Sequence, residues 1–170
     1  LRGGIQRRYG VSDWCFELFN GASAGIFSLF SFLSPDVVSL YAPIYAEYKK
    51  ISEILGVQTV ISNRLDGEPK IPTKDSAAVF VNPSTPDGAL YDLSGFLDEW
   101  CNVSSAVIID ESFLDFTDGV SVLGEVEKYK NLYVVKSMTK YYGAAGVRVG
   151  FVASNRQNIG SLAAKEPLWK

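Results

Sequence analysis

Short apolar runs alternate along this chain with longer stretches whose apolar residues recur at helical spacing. Several runs, such as Ala77–Val81 and Ala106–Ile109, are continuously apolar, which is typical of strands covered on both faces. The alternation predicts an α/β domain with a mostly parallel sheet. The predicted strands are Cys15–Phe19, Val37–Tyr41, Val57–Ile61, Ala77–Val81, Ala106–Ile109, Leu132–Val135 and Val147–Ala153. The predicted helices are Ala22–Leu33, Ile44–Leu55, Leu93–Asn102 and Asn155–Ala164.

The chain length of 170 residues leaves little room for a second domain beside such a sheet. Turn chemistry ends the first long helix at Ser34-Pro35-Asp36, and Leu65–Lys74 is predicted to be a surface loop. The chain starts without a methionine and stops abruptly after Glu166-Pro167-Leu168-Trp169-Lys170. Both ends are therefore expected to be cuts in a longer chain.

The composition excludes several classes of function. The chain has no histidine, which removes Ser-His-Asp and Cys-His mechanisms and histidine-based metal sites within these residues. Its 16 basic and 19 acidic residues give a net charge of −3, which argues against nucleic acid and anionic membranes as partners. The longest apolar run, Ala24–Leu33, is too short to span a bilayer. Cys15 and Cys101 are predicted to be buried thiols in a reducing compartment, so a cytoplasmic location is expected.

The segment Ser137–Arg148 directly follows the sixth predicted strand, at its carboxyl end. Its polar groups are the hydroxyls of Ser137 and Thr139, the amine of Lys140 and the guanidinium of Arg148. Together these groups can hold a phosphate. An amine in such a place can also form a Schiff base when burial or a nearby cation lowers its pKa. Taken alone, the segment is better explained as a glycine-rich turn that carries a surface lysine and a structural arginine.

Two further segments offer groups that bind opposite charges, the first a cation and the second an anion. Asp110 and Glu111 follow the fifth predicted strand, where a carboxylate can face a protonated ring nitrogen or simply cap the next segment. Asn20–Gly25 leads into the first long helix, and backbone N–H groups at a helix start attract anions. An ordinary turn explains the second segment as well.

An aromatic segment, Tyr41–Tyr45, and a polar segment, Asn82–Gly88, also follow predicted strands. An aromatic ring just past a strand can stack on a planar ligand, although each segment alone fits a structural role. Ligands of open α/β sheets gather at the carboxyl ends of the strands, so all these segments are expected at one edge. An anion cradle, a stacking ring, a carboxylate, an amine and an arginine suit a phosphorylated, basic heterocycle that bears an aldehyde.

With these residues the chain resembles the large domain of fold-type I pyridoxal-phosphate enzymes, the class I and II aminotransferases. It is most similar to the branch of histidinol-phosphate aminotransferase and the threonine-phosphate decarboxylase of cobalamin synthesis. The pattern S-x-(S/T)-K-x-x-x-x-x-G-x-R-x-G carries the resemblance and is met by Ser137, Thr139, Lys140, Gly146, Arg148 and Gly150. The resemblance implies a three-layer α-β-α sandwich around a mostly parallel seven-stranded sheet. Residues 1–170 would be the cofactor-binding large domain, without the family's N-terminal arm and C-terminal small domain.

The resemblance implies a role for each matching residue. Lys140 would carry pyridoxal 5'-phosphate as a Schiff base, and Asp110 would face the pyridine nitrogen, so these two are the expected catalytic residues. The other expected cofactor-binding residues are Ala22, Ser23, Tyr45, Asn82, Thr85, Phe113, Ser137, Thr139 and Arg148. No metal is expected.

The chain departs from the family pattern at three positions. Thr85 stands where the family has an asparagine that contacts the cofactor's phenolic oxygen. Phe113 stands where aminotransferases have a tyrosine that contacts the same oxygen, and Ala24 replaces a usual glutamate. The stretch Asp110–Phe116 and the Pro86-Asp87-Gly88 ending favour the decarboxylase branch.

The implied function is transamination of an amino acid or amino-phosphate, with Lys140 as base, in a homodimer whose active sites lie at the interface. Three alternatives stay open on the residues. In the first, the protein is a threonine-phosphate decarboxylase, because the same electron sink serves both reactions. It is a degenerate module that keeps the sheet without the chemistry. Or it binds a phosphorylated sugar or nucleotide on a similar sheet, which would leave Lys140 without a covalent partner.

Overall fold

A computed structural model describes residues 1–84 and 86–167 of the chain. It confirms the predicted α/β class and the seven strands. The strands are β1 Phe16–Asn20, β2 Val37–Ala42, β3 Gln58–Asn63, β4 Ala77–Val81, β5 Ala106–Asp110, β6 Leu132–Ser137 and β7 Val149–Ala153. The helices are α1 Arg2–Tyr9, α2 Ala22–Leu33, α3 Ala46–Ile54, α4 Leu97–Val103 and α5 Arg156–Ala163.

The sheet has the strand order β1-β7-β6-β5-β4-β2-β3. Strands β2 to β6 pair in parallel, whereas β7 runs antiparallel to both of its neighbours, β1 and β6. As a result, the amino end of β7 lies at the same edge as the carboxyl ends of the other strands. This edge is where the expected site residues come together.

Residues of the central strands alternate between two hydrophobic cores, one on each face of the sheet. On β5, Val107 and Ile109 belong to the core that includes Trp100 of α4, while Ile108 belongs to the core that includes Leu29 of α2. Helices α1 and α4 cover the first face, and α2, α3 and α5 cover the second. The structure is therefore a three-layer α-β-α sandwich, as the resemblance implies.

The structure differs from the sequence-based expectation in one additional helix and in several element bounds, such as the start of α4, which is Leu97 and not Leu93. Helix α1 was not predicted, because it contains two glycines, Gly3 and Gly4, which disfavour helices. Ile5 is its one buried residue, so the sequence shows no apolar period. Strand β7 begins later than expected, because residues 145–147 form a 3₁₀ turn and Arg148 adopts a left-handed conformation with φ of 51°. This turn sets the point at which the Arg148 side chain leaves the backbone.

Within residues 1–84 and 86–167, no helix combines the length and apolar character that a bilayer-spanning segment requires. Over the same residues, no cluster of three or more potential metal-ligating side chains occurs. Cys15 and Cys101 are free thiols, Cys15 buried and Cys101 partly buried.

Candidate active site

A cavity of about 300 Å³ opens at the edge of the sheet where the parallel strands end. It is lined by Ala22, Ser23, Ile26, Tyr45, Val81, Ser84, Asp110, Ser112, Phe113, Ser137, Thr139, Lys140 and Arg148. Every expected site residue that the structure describes lines it, except Asn82. Segments that are far apart in sequence meet here because each one follows a strand, or in the case of Arg148 precedes one.

Hydroxyl and cationic groups surround the start of α2. Ser137 on β6 pairs with Gly150 on β7, and the Ser137 and Thr139 hydroxyls lie 2.9 Å apart in a hydrogen bond. The Ser23 hydroxyl lies in the first turn of α2, whose cap residue has no side chain to satisfy the free backbone N–H groups. Together with the guanidinium of Arg148, these groups form a site suited to a phosphate.

Two glycines allow the backbone to pack closely at this end of the cavity. A Cβ on Gly150 would lie 2.4 Å from the backbone nitrogen of Ala22, so β7 could not approach α2 as it does with any other residue there. Gly21 has a φ of 87°, and a Cβ on it would lie 3.0 Å from the Arg148 guanidinium. The close approach of the arginine to the helix start therefore depends on both glycines.

Asp110, the last residue of β5, supplies a buried carboxylate to the cavity, with 3% of its surface exposed. The Tyr48 hydroxyl donates to its Oδ2 at 2.7 Å, and the Ser112 backbone N–H donates to its Oδ1 at 2.9 Å. A buried carboxylate needs such donors to stay charged. Each oxygen has a fixed partner and still has a lone pair for a further donor.

The neighbouring carboxylate, Glu111, takes no part in lining the cavity. It accepts a hydrogen bond from the Val122 backbone N–H at 2.7 Å and forms a buried ion pair with Lys136 at 3.4 Å. Lys136 also pairs with Asp115 at 3.3 Å. Burial raises the pKa of Glu111, and the Lys136 ammonium opposes that rise. Of the two adjacent acidic residues, Asp110 is therefore the one placed for chemistry in the cavity.

Lys140 lies just beyond β6, at the mouth of the cavity. Its ammonium nitrogen is 3.8 Å from the centre of the Phe113 ring. Partial burial lowers the pKa of Lys140, and the nearby Asp110 carboxylate acts in the opposite sense. A lowered pKa increases the fraction of neutral amine, which is the nucleophilic form.

Tyr45, the residue before α3, presents an exposed aromatic ring to the cavity, with 44% of its surface accessible. The edge of its ring packs against Tyr48 at a centroid distance of 6.4 Å and an interplanar angle of 84°. Its hydroxyl lies 3.4 Å from the Ser23 hydroxyl. The ring is thus held at the cavity wall with a face available for a planar ligand.

Asn82 is an expected site residue that the structure does not bring to the cavity wall. The Asn82 side chain bonds to the backbone of Tyr91 through two hydrogen bonds, of 2.8 Å and 2.9 Å. It therefore holds the segment after β4 in place. Thr85 lies outside the described residues.

Four lining residues escaped the sequence analysis: Ile26, Val81, Ser84 and Ser112. Ile26 lies one helical turn after Ala22 and so shares its face of α2, a spacing that could have identified it. Val81 is the last residue of β4. The two serines lie in irregular segments, where sequence spacing does not indicate side-chain direction.

These residues fit pyridoxal 5'-phosphate. Anion-binding groups lie around the start of α2, a lysine of lowered pKa lies at the cavity mouth, and a buried carboxylate lies on the cavity wall. Small-molecule cavities start at about 300 Å³, which is the size observed here. The phosphate, the aldehyde and the ring nitrogen of this cofactor each have a matching partner.

Comparisons with known proteins agree with this fit. The profile of the family described as "Aminotransferase class I and II" matches residues 17–166. A histidinol-phosphate aminotransferase of Christiangramia forsetii is 30% identical over 170 residues, which cover 93% of this chain and 48% of that protein. A threonine-phosphate decarboxylase of Sinorhizobium sp is 28% identical over 129 residues, which cover 74% of this chain and 38% of that protein.

A solved structure shows the same architecture. The crystal structure of the histidinol-phosphate aminotransferase from Clostridium acetobutylicum matches with a TM-score of 0.79 at 25% identity. The match covers 97% of this chain and 53% of that one. The chain thus spans about half the length of the relatives it matches.

Proposed function

The chain belongs to the class I and II aminotransferase family, and we propose that it forms the pyridoxal-phosphate-binding domain of an aminotransferase. The proposed substrate is an amino acid or an amino-phosphate. The observation that carries the proposal is the position of Lys140. Its amine has a lowered pKa and lines the same cavity as the Arg148 guanidinium and the Asp110 carboxylate.

One group of residues would bind and orient the cofactor. Arg148 and the hydroxyls of Ser137 and Thr139 would hold its phosphate, together with the backbone N–H groups of Ala22 and Ser23 at the start of α2. Ser137 ends β6, Ala22 and Ser23 begin α2, and Arg148 directly precedes β7, so the close packing of these elements would fix the phosphate position. Tyr45 would cover one face of the ring and exclude water from it.

Lys140 would act as nucleophile and as proton carrier. Its neutral amine would hold the cofactor covalently through the cofactor's aldehyde group. When the substrate amine takes that place, the released Lys140 Nζ would accept the proton that leaves the substrate α-carbon. When bound, pyridoxal phosphate supplies the electron sink that withdraws charge from that carbon.

Asp110 would hold a proton on the ring nitrogen of the cofactor. The Asp110 carboxylate accepts hydrogen bonds from Tyr48 and Ser112 in this buried position and keeps a lone pair on each oxygen. It can then accept a strong, charge-assisted hydrogen bond from the pyridinium N–H.

Threonine-phosphate decarboxylation is the second candidate. The similarity to the Sinorhizobium enzyme supports it, as does Phe113, which places an aromatic ring without a hydroxyl beside Lys140. The groups around the cavity serve both reactions alike. The choice would depend on contacts to the substrate carboxylate and phosphate, which decide the bond that stands perpendicular to the ring.

The proposal extends to the assembly and location of the protein. We propose that residues 1–170 form the large domain of a longer chain and that the protein works as a homodimer, as the family resemblance implies. We also propose a cytoplasmic location, because the thiols of Cys15 and Cys101 are both free.

Product analysis tests the proposed function. The protein is loaded with pyridoxal 5'-phosphate and given an amino acid or amino-phosphate donor with a keto-acid acceptor, and keto acid and carbon dioxide are assayed together. Formation of the keto acid that derives from the amino donor supports the aminotransferase, and release of carbon dioxide supports the decarboxylase. Lys140→Ala is the control and should release neither. Equal turnover by wild type and this variant would contradict the proposed role of Lys140.

A further inference from the structure

Tyr48 is a buried tyrosine whose side-chain hydroxyl is hydrogen-bonded to Asp110. It lies one turn into α3, is fully buried, and donates its hydroxyl to Asp110 Oδ2 at 2.7 Å. Its ring packs against Phe30 at a centroid distance of 6.1 Å. The ring alone would satisfy this packing, so the hydroxyl needs a separate explanation.

We propose that Tyr48 is a positioning residue of the candidate site, whose hydroxyl orients the Asp110 carboxylate toward the ring nitrogen of pyridoxal 5'-phosphate. The inference rests on the proposed function. The Ser112 backbone N–H holds Asp110 Oδ1, and Tyr48 holds Oδ2, so the carboxylate is clamped at both oxygens. A clamped carboxylate cannot rotate away from the cavity when the ring nitrogen approaches.

The surroundings of Tyr48 make its hydroxyl a permanent donor. Burial, with the Asp110 carboxylate next to it, raises the pKa of Tyr48 well above its usual value. The proton therefore stays on the tyrosine across the whole range in which the protein works. The acceptor role stays with Asp110, as a partner for the pyridinium N–H requires.

Tyr48 also connects two parts of the cavity. Its ring forms a T-shaped pair with the ring of Tyr45, three residues earlier in the chain, at a centroid distance of 6.4 Å. The residue that orients the carboxylate thus also supports the ring expected to stack on the cofactor. The buried Tyr48 side chain thus contacts both Asp110 and Tyr45.

The test uses pyridoxal 5'-phosphate labelled with ¹⁵N at the ring nitrogen, bound to wild type, Tyr48→Phe and Tyr133→Phe. Tyr133 is a matched control because it is also buried but does not line the cavity. We expect the ¹⁵N shift in Tyr48→Phe to move toward that of a neutral pyridine. We expect a loss of turnover of about 10- to 100-fold, the usual effect of removing a hydrogen bond to a charged group. Tyr133→Phe should match wild type in both.

A double-mutant cycle separates positioning from a general effect on folding. If Tyr48 acts through Asp110, adding Tyr48→Phe to Asp110→Ala should change neither the ¹⁵N shift nor turnover further. Additive effects would overturn the inference. So would a wild-type ¹⁵N shift in a loaded Tyr48→Phe protein, and that result would leave the proposed function intact. A wild-type protein that takes up no cofactor would overturn both.

A second measurement serves if Tyr48→Phe fails to fold. The Tyr48 hydroxyl proton of loaded wild type should exchange slowly with solvent in proton NMR, and the Asp110→Ala variant should lose that slow exchange. Equally fast exchange in the two proteins would overturn the inference.

Discussion

Two lysines four positions apart in the chain, Lys136 and Lys140, lie in opposite environments. Lys136 is on β6, 2% exposed, and paired with Glu111 at 3.4 Å and Asp115 at 3.3 Å. Lys140 is beyond the end of the strand, and its amine rests on the Phe113 ring at the mouth of the cavity. Each has a carboxylate nearby, yet only the first is neutralised by direct ion pairs in the described residues.

The difference separates a structural lysine from a reactive one. The Lys136 ammonium is engaged by two carboxylates and does not line the candidate active-site cavity. An amine that is partly desolvated at a cavity mouth loses its proton more easily and can reach an aldehyde. Asp110 and Glu111 differ in the same way, since Asp110 lines the cavity and Glu111 forms the ion pair with Lys136.

The largest effect is expected from Lys136→Met, which leaves Glu111 buried without its cation. The free energy of unfolding should fall by about 3–5 kcal/mol in denaturant titrations. Lys140→Met, the matched variant, should change it by about 0.5 kcal/mol or less, as is usual for exposed positions. Equal losses in the two variants would contradict the division between the lysines.

The pH dependence of the same variant sharpens the comparison. Burial raises the pKa of Glu111, and loss of Lys136 raises it further. A carboxyl whose pKa is higher in the folded state than in the unfolded state binds more protons when the protein is folded. The free energy of unfolding therefore rises as the pH falls toward the pKa of the unfolded state. The deficit of Lys136→Met should therefore be smaller at about pH 5 than at about pH 8. A deficit independent of pH would show that Glu111 is not the group left unpaired.

Asp110→Ala tests the role of the carboxylate that lines the cavity. The variant should still bind cofactor weakly but lose turnover by about 10²–10³-fold, the usual effect of removing a group that stabilises charge in the transition state. Steady-state kinetics with the cofactor in excess measures it. A fully active variant would mean that the carboxylate is structural.

A smaller effect is expected from Gly150→Ala, because its new Cβ would lie 2.4 Å from the Ala22 nitrogen and push β7 from α2. The unfolding free energy should fall by about 1–3 kcal/mol, as in other overpacked sites, and cofactor affinity should fall with it. Gly146→Ala is the control, since its Cβ would meet nothing within 4 Å. Thermal melts and cofactor titrations of both variants check this, and identical behaviour would contradict the close-approach argument.

Much of the fold could be predicted because continuous apolar runs such as Ala77–Val81 have one simple solution, a strand buried on both faces. Helix α1 could not, since its residues carry no apolar period. The β7 boundary shifted because a turn at residues 145–147 and the left-handed Arg148 interrupt an apolar run.

For the site, the order of motifs along the chain predicted which residues would meet, because parallel strands share an edge. It did not predict side-chain direction. The Asn82 amide turns to the Tyr91 backbone instead of the cavity, and Tyr48 reaches Asp110 from a different helix. Hydrogen bonds of this kind depend on packing across the sheet, which residue spacing does not encode.

The central claim is that Lys140 is the reactive lysine of this chain. The direct test is to incubate the protein with pyridoxal 5'-phosphate, reduce it with borohydride and locate the label by peptide mass spectrometry. Because burial lowers the pKa of Lys140, we predict a single label on Lys140, formed at pH values where ordinary lysines remain protonated and unlabelled. A label on Lys136, one spread evenly over the exposed lysines, or none at all would contradict the account.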